Sequence, residues 1–95
     1  MTTRADRIDA ILRQSFNPVM LRIVDDSARH HGHAGAAPGG QTHFSLLLVA
    51  DAFRGRSRVE RSRAVHAALA GEFADGLHAL ALTLRSPEEH DRAQP

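Results

Sequence analysis

Four of the chain's seven histidines, His30, His31, His33 and His43, fall in the stretch His30 to Phe44, HHGHAGAAPGGQTHF. Imidazole is the commonest protein metal ligand and titrates near neutrality, so this clustering points to metal or proton chemistry. The spacing matches no short zinc pattern, and two readings stand for His30, His31 and His33: a solvated Gly/Ala loop, or donors carried on a long connection. His43 precedes a strand, where bonding to the backbone competes with ligation. His66 reads as a packing residue on a helix, and His90 as an inert residue of the polar tail. His78 stands at the entry to a leucine-rich strand, where a side chain can emerge at the end of the sheet; the competing reading is a core-edge histidine bonded to a carbonyl.

The chain has no cysteine, which removes disulfides, zinc-thiolate sites, cysteine nucleophiles and cysteine-ligated clusters together. Two histidines do not complete a tetrahedral centre, which calls for four ligands. A metal held here uses His or carboxylate ligands of the chain or borrows thiolates from a partner, and an open pair of histidines is the reason to consider a shared site. No G-x-S-x-G elbow, P-loop or HExxH motif occurs, so a non-enzymatic protein is expected.

All twelve basic residues are arginine and the net charge is only +1. Five of them, Arg54, Arg56, Arg58, Arg61 and Arg63, crowd into AFRGRSRVERSR, a basic patch suited to phosphate and read here as a DNA or partner contact. The plainer reading is a solvated helix face with ion pairs such as Glu60 to Arg56 or Arg63. The four aromatic residues are all Phe and read as core, which leaves no stacking platform for single strands.

The elements that must position these residues follow from periodicity. Ile8, Ile11, Leu12 and Phe16 recur at helical spacing behind a Thr3/Asp6 cap, and Asn17-Pro18 ends that helix. Val19 to Asp25 reads as a half-buried strand, and Phe44 to Ala50 as an apolar central strand shielded by its neighbours. A loop spans about residues 28–41. Ser57 and Glu60 cap a second helix, expected to run on to Asp75-Gly76 with Val65, Ala68, Leu69 and Phe73 on one face. Leu77 to Leu84 alternates with period two and reads as the third strand, its His78, Leu80, Leu82 and Leu84 on one face. Residues 87–95 are expected to be a polar tail with at most one helical turn near Glu88 and Glu89.

The resulting order, α-β-β-α-β, implies one α/β (α+β) domain over residues 1–95, a three-stranded mixed sheet with helices packed on one face. A 95-residue chain builds a compact core with shallow pockets only. No apolar run approaches the roughly 20 residues of a membrane span and the opening MTTRADRIDA lacks a signal h-region, so a cytoplasmic protein without membrane contact is expected.

Several linked motifs now add up: Asp25-Asp26-Ser27 before a His/Gly loop, Gly40-Gln41-Thr42-His43-Phe44, Phe53-x-Gly55-x-Ser57-Arg58-Val59-x-Arg61, and Gly76-Leu77-His78-Ala79-Leu80. From about Val24 to Glu89 the chain resembles the BolA family. The resemblance implies a KH-like domain lacking the GXXG loop, since Gly55-Arg56-Ser57-Arg58 has no second glycine. It further implies pairing with a monothiol glutaredoxin and a shared [2Fe-2S] cluster held by glutaredoxin cysteine, glutathione and histidine of this chain. The family's C-terminal ligand falls on His78, and its loop ligand best on His33, with His31 the alternative register. The apo form is expected as a monomer or weak homodimer. Ser62 stands where relatives often carry histidine, His90 where they carry tryptophan, and Ala28 where a larger residue is frequent. Some bacterial members of the family are described as transcription regulators, and there the segment matching Phe53 to Arg63 is proposed to touch DNA; a plain zinc or copper site on the loop histidines is a third reading.

Overall fold

The computed structural model describes residues 2–27 and 40–94. Helix α1 (Arg4–Phe16) opens with a reciprocal cap: Asp6 N donates to Thr3 Oγ1 and Thr3 N donates to Asp6 Oδ2, both at 3.1 Å. It closes at Asn17, whose left-handed φ of 47° turns the chain ahead of Pro18. Strand β1 (Met20–Asp25) follows, with Leu21 and Ile23 inward and Met20, Arg22 and Val24 outward.

Strand β2 (His43–Val49) lies between β1 and β3 (Ala79–Arg85), antiparallel to the first and parallel to the second. The strand order is the one expected. Phe44, Leu46 and Leu48 are buried on the helix side, while Ser45 and Leu47 lie half-buried on the other. The apolar run thus reflects a central strand with one deeply covered face. On β3, Leu80, Leu82 and Leu84 pack toward the core, and Ala79, Ala81 and Thr83 are exposed.

A 3-10 turn at Asp51–Phe53 drives the Phe53 ring into the core, 5.3 Å from that of Phe16. Helix α2 (Arg58–Ala68) begins with the expected Ser57/Glu60 capping box. It does not continue to Asp75 as one helix: the chain is interrupted at Leu69 and resumes as α3 (Ala70–Ala74). There Glu72 N bonds Leu69 O at 2.9 Å, a tightened i to i+3 turn next to Gly71, whose helix propensity is poor. Ile8, Leu12, Val65 and Leu69 meet the inner face of β2 in the core.

The polar tail is corrected. Residues Pro87–Ala93 form α4, capped by Ser86 and Glu89 with Pro87 in its first turn. The Arg61 guanidinium fixes this helix by binding Glu89 Oε1 at 2.6 Å and Oε2 at 3.2 Å. Among the described residues no helix is long and apolar enough to cross a membrane.

Candidate functional site

His78 lies in the two-residue lead into β3, after Gly76, whose φ of +117° suits a residue without a side chain. Leu77 is buried and anchors the turn through its N–H on Glu72 O at 2.9 Å. The next two amides, of His78 and Ala79, both donate to Thr42 O, at 2.8 and 3.1 Å. The His78 backbone is therefore fixed while its side chain is exposed. The side chain is exposed, where the competing reading had a core-edge histidine bonded to a carbonyl.

Its imidazole stacks on that of His43, with ring centroids 5.3 Å apart and planes inclined by 23°. Register explains the meeting, because His43 pairs with Ala79 across the parallel β2/β3 ladder. His43 is buried, and its Nδ1 lies 3.0 Å from Thr42 Oγ1, so it supports its neighbour from beneath. No local sequence pattern specifies the pairing of these two rings.

The described ends of the β1–β2 connection converge on the same place. Ser27 Oγ accepts from Thr42 N at 2.9 Å and His43 N at 3.2 Å, and Asp25 accepts from Ser27 N and Gln41 N at 2.9 and 3.1 Å. Burial pushes the Asp25 carboxyl up, yet the Ser27 and Gln41 hydrogen bonds outweigh it and hold the group below its usual range. His30, His31 and His33 lie outside the described residues. Among the described residues no cluster of three His, Asp or Glu side chains is arranged to hold a metal.

Arg4 braces both halves of the site. Its guanidinium donates to Gln41 O at 2.6 Å, Glu72 O at 3.2 Å and Asp75 O at 3.0 Å, and pairs with Glu72 Oε1 at 3.0 Å. Arg7 binds the same carboxylate, and its bonds hold Glu72 below the usual carboxylate range against the opposing effect of burial.

The five arginines expected to form one contact surface divide. Arg61 is buried, with bonds to Glu89, Arg56 O and Leu84 O. That correction has a simple cause: α4, unexpected from periodicity, supplies the carboxylate. Arg54 is exposed but pairs with Glu88 and Asp51. Arg56, Arg58 and Arg63 are exposed. His66 stacks on Phe73 at 5.5 Å. His90 is buried on α4, its Nδ1 3.2 Å from Arg85 Nη1, and so is a packed residue of the fold.

A family model described as BolA-like protein matches residues 12–89. The chain belongs to the BolA family. Among its BolA relatives, the DNA-binding transcriptional regulator BolA of Escherichia coli is 38% identical over 94% of this chain and 81% of its own length. SufE-like protein 1 of Arabidopsis thaliana is 41% identical over 92% of this chain, which spans 24% of that longer protein. The solved BolA domain of Arabidopsis SufE1 superposes with a TM-score of 0.84 at 39% identity, covering 94% of this chain and 98% of the domain. The BolA fold expected from the motifs is therefore the fold present.

Proposed function

We propose that this chain is a non-enzymatic cytoplasmic adaptor that shares a [2Fe-2S] cluster with a monothiol glutaredoxin, in cluster trafficking or iron sensing. His78 and His33 are its iron ligands in this reading, and glutaredoxin cysteine with glutathione supplies the thiolates. The observation that carries it is the exposed His78 imidazole, fixed through its own amide on Thr42 O and stacked on buried His43. A pre-set donor at a molecular surface suits a centre that a second molecule completes. Histidine in place of thiolate raises a cluster's potential, and the ligating nitrogen must be unprotonated, so acidification releases the cargo.

Anaerobic co-expression with a monothiol glutaredoxin, followed by visible spectroscopy and gel filtration, tests the reading. His78→Ala is expected to lose or shift the cluster absorption while the protein stays folded, and His33→Ala to alter it. Unchanged spectra in both variants would remove the ligand assignment.

The second reading is DNA contact through Arg54, Arg56, Arg58, Arg61 and Arg63, supported by the exposure of Arg56, Arg58 and Arg63 and by the name of the E. coli relative. It is weakened by the internal commitments of Arg54 and Arg61. Binding that falls steeply with salt and with Arg58→Gln would restore it.

A further inference from the structure

β3 is an edge strand, and its alternation can be read from bonds at both ends. Ala79 N donates to Thr42 O and Arg85 O accepts from Ala50 N, so odd-numbered residues turn their backbone groups to β2. Leu80, Leu82 and Leu84 therefore point N–H and C=O away from the sheet. Arg61 Nη1, 3.2 Å from Leu84 O, takes one of these outward carbonyls and marks where the free edge stops.

Between this edge and the start of α2 runs an open groove of about 690 Å³, walled by Arg56, Ser57, Arg58, Leu82, Leu84 and Arg85 among others. Its one carboxylate, Glu89, is committed to Arg61 and to Ser86 N. Glu60, the nearest acid on α2, directs its carboxylate to Ser57 N. Arg56 and Arg58 on the helix side and Arg85 on the open-face side, its Nη1 also 3.2 Å from His90 Nδ1, thus leave the groove positive along a strand edge that no strand covers among the described residues.

We propose that the groove docks an extended acidic segment of a partner protein by strand addition to β3. The segment's main chain pairs with the Leu82 N–H and C=O and the Leu84 N–H. Its side chains alternate between the two faces, so carboxylates on one face meet Arg56 and Arg58, and those on the other meet Arg85. A second copy of this chain is a poor occupant, because it brings guanidinium groups against guanidinium groups. Duplex DNA satisfies the arginines but leaves the amide edge unmatched, and the groove wall holds no aromatic ring for single-stranded bases to stack on.

The test uses the full chain without iron or glutaredoxin, so its outcome is independent of the cluster reading. A fluorescein-labelled peptide of repeated Glu-Glu-Thr-Thr, which carries carboxylates on both faces when extended, is titrated by anisotropy, beside the same peptide N-methylated at alternate amides in each of the two registers. Binding is expected for the parent peptide, with added hydrogen-exchange protection at the Leu82 and Leu84 amides. The N-methylated register that blocks pairing and the double variant Arg56→Gln/Arg58→Gln should each weaken it roughly tenfold or more, through lost main-chain and charge-assisted bonds. Circular dichroism and melting of the double variant serve as the fold control, since both positions are exposed. Equal affinity for all methylated peptides, absence of binding at millimolar peptide, or displacement by duplex DNA at matched charge concentration would each overturn the proposal.

Discussion

Arg4 and Glu89 show how single charged groups fix the geometry of the two surfaces. Arg4 is only 11% exposed and its partner Glu72 10%, and it reaches the backbone on both sides of the His43/His78 pair. Arg4→Met leaves Glu72 with Arg7 alone and frees the Gln41 and Asp75 carbonyls. A loss of about 2–3 kcal/mol is expected, below the full cost of breaking a buried pair because Arg7 remains; urea denaturation midpoints check it. Glu89 titrates differently from an ordinary carboxylate, held down to about 2 by Arg61 first and by the Ser86 amide. Its folded value lies below the ordinary 4.5, so its stabilisation is complete above that pH and disappears as pH falls toward 2. Melting curves across this window should fall more steeply for the parent chain than for Glu89→Gln. The variant should also be less stable at neutral pH, with the buried Arg61 cation less compensated. Equal slopes would show that the pair does not couple to folding.

At the scale of elements, the turn between α3 and β3 decides where His78 stands. A Cβ built on Gly76 comes 3.1 Å from Arg4 Nη2, at a φ of +117°. Gly76→Ala therefore combines backbone strain with pressure on the clamp, and a loss of about 1–3 kcal/mol is expected. Because the strain lies two residues from His78, the variant should also shift the His78 ring signals in a proton–carbon NMR spectrum, whereas a surface change such as Arg63→Gln should not. The caps and alternation of α1, α2 and the strands were legible because each is a local signal. Helix α4 was not, since PEEHDRA has no apolar stripe and a single buried side chain, His90. The available signal was Ser86-Pro87-x-Glu89, a capping box with proline in the first turn. The burial of Arg61 depends on the same helix, which brings its carboxylate partner. The stacking of His43 on His78 was illegible for a related reason: it follows from the parallel register of β2 and β3, which no local pattern specifies.

For the molecule as a whole, one-sided covering of a three-stranded sheet concentrates stability in few side chains, and Phe53 is one that joins several elements. It is fully buried, its ring lies against Phe16 of α1, and the Arg61 guanidinium sits 5.7 Å above it. Through Arg61 and Glu89 the same contact reaches α4. Phe53→Ala thus opens a cavity where α1, α2 and the sheet meet and withdraws a floor from the buried cation. Large-to-small changes of this kind cost about 3–5 kcal/mol, against a total of about 5–15 kcal/mol for a domain of ordinary stability. At about 4–8 °C per kcal/mol for a chain of this size, the melting temperature should fall by about 12 °C or more. Arg4 and Thr42 anchor the His78 turn from the other end of the sheet, through bonds that do not involve Phe53. Below its new melting point the variant should therefore keep the His43/His78 ring contacts in NMR spectra while its α4 amides exchange faster. Simultaneous loss of both signals would mean that the two ends of the sheet behave as one cooperative unit, and that the site cannot be separated from the core that carries it.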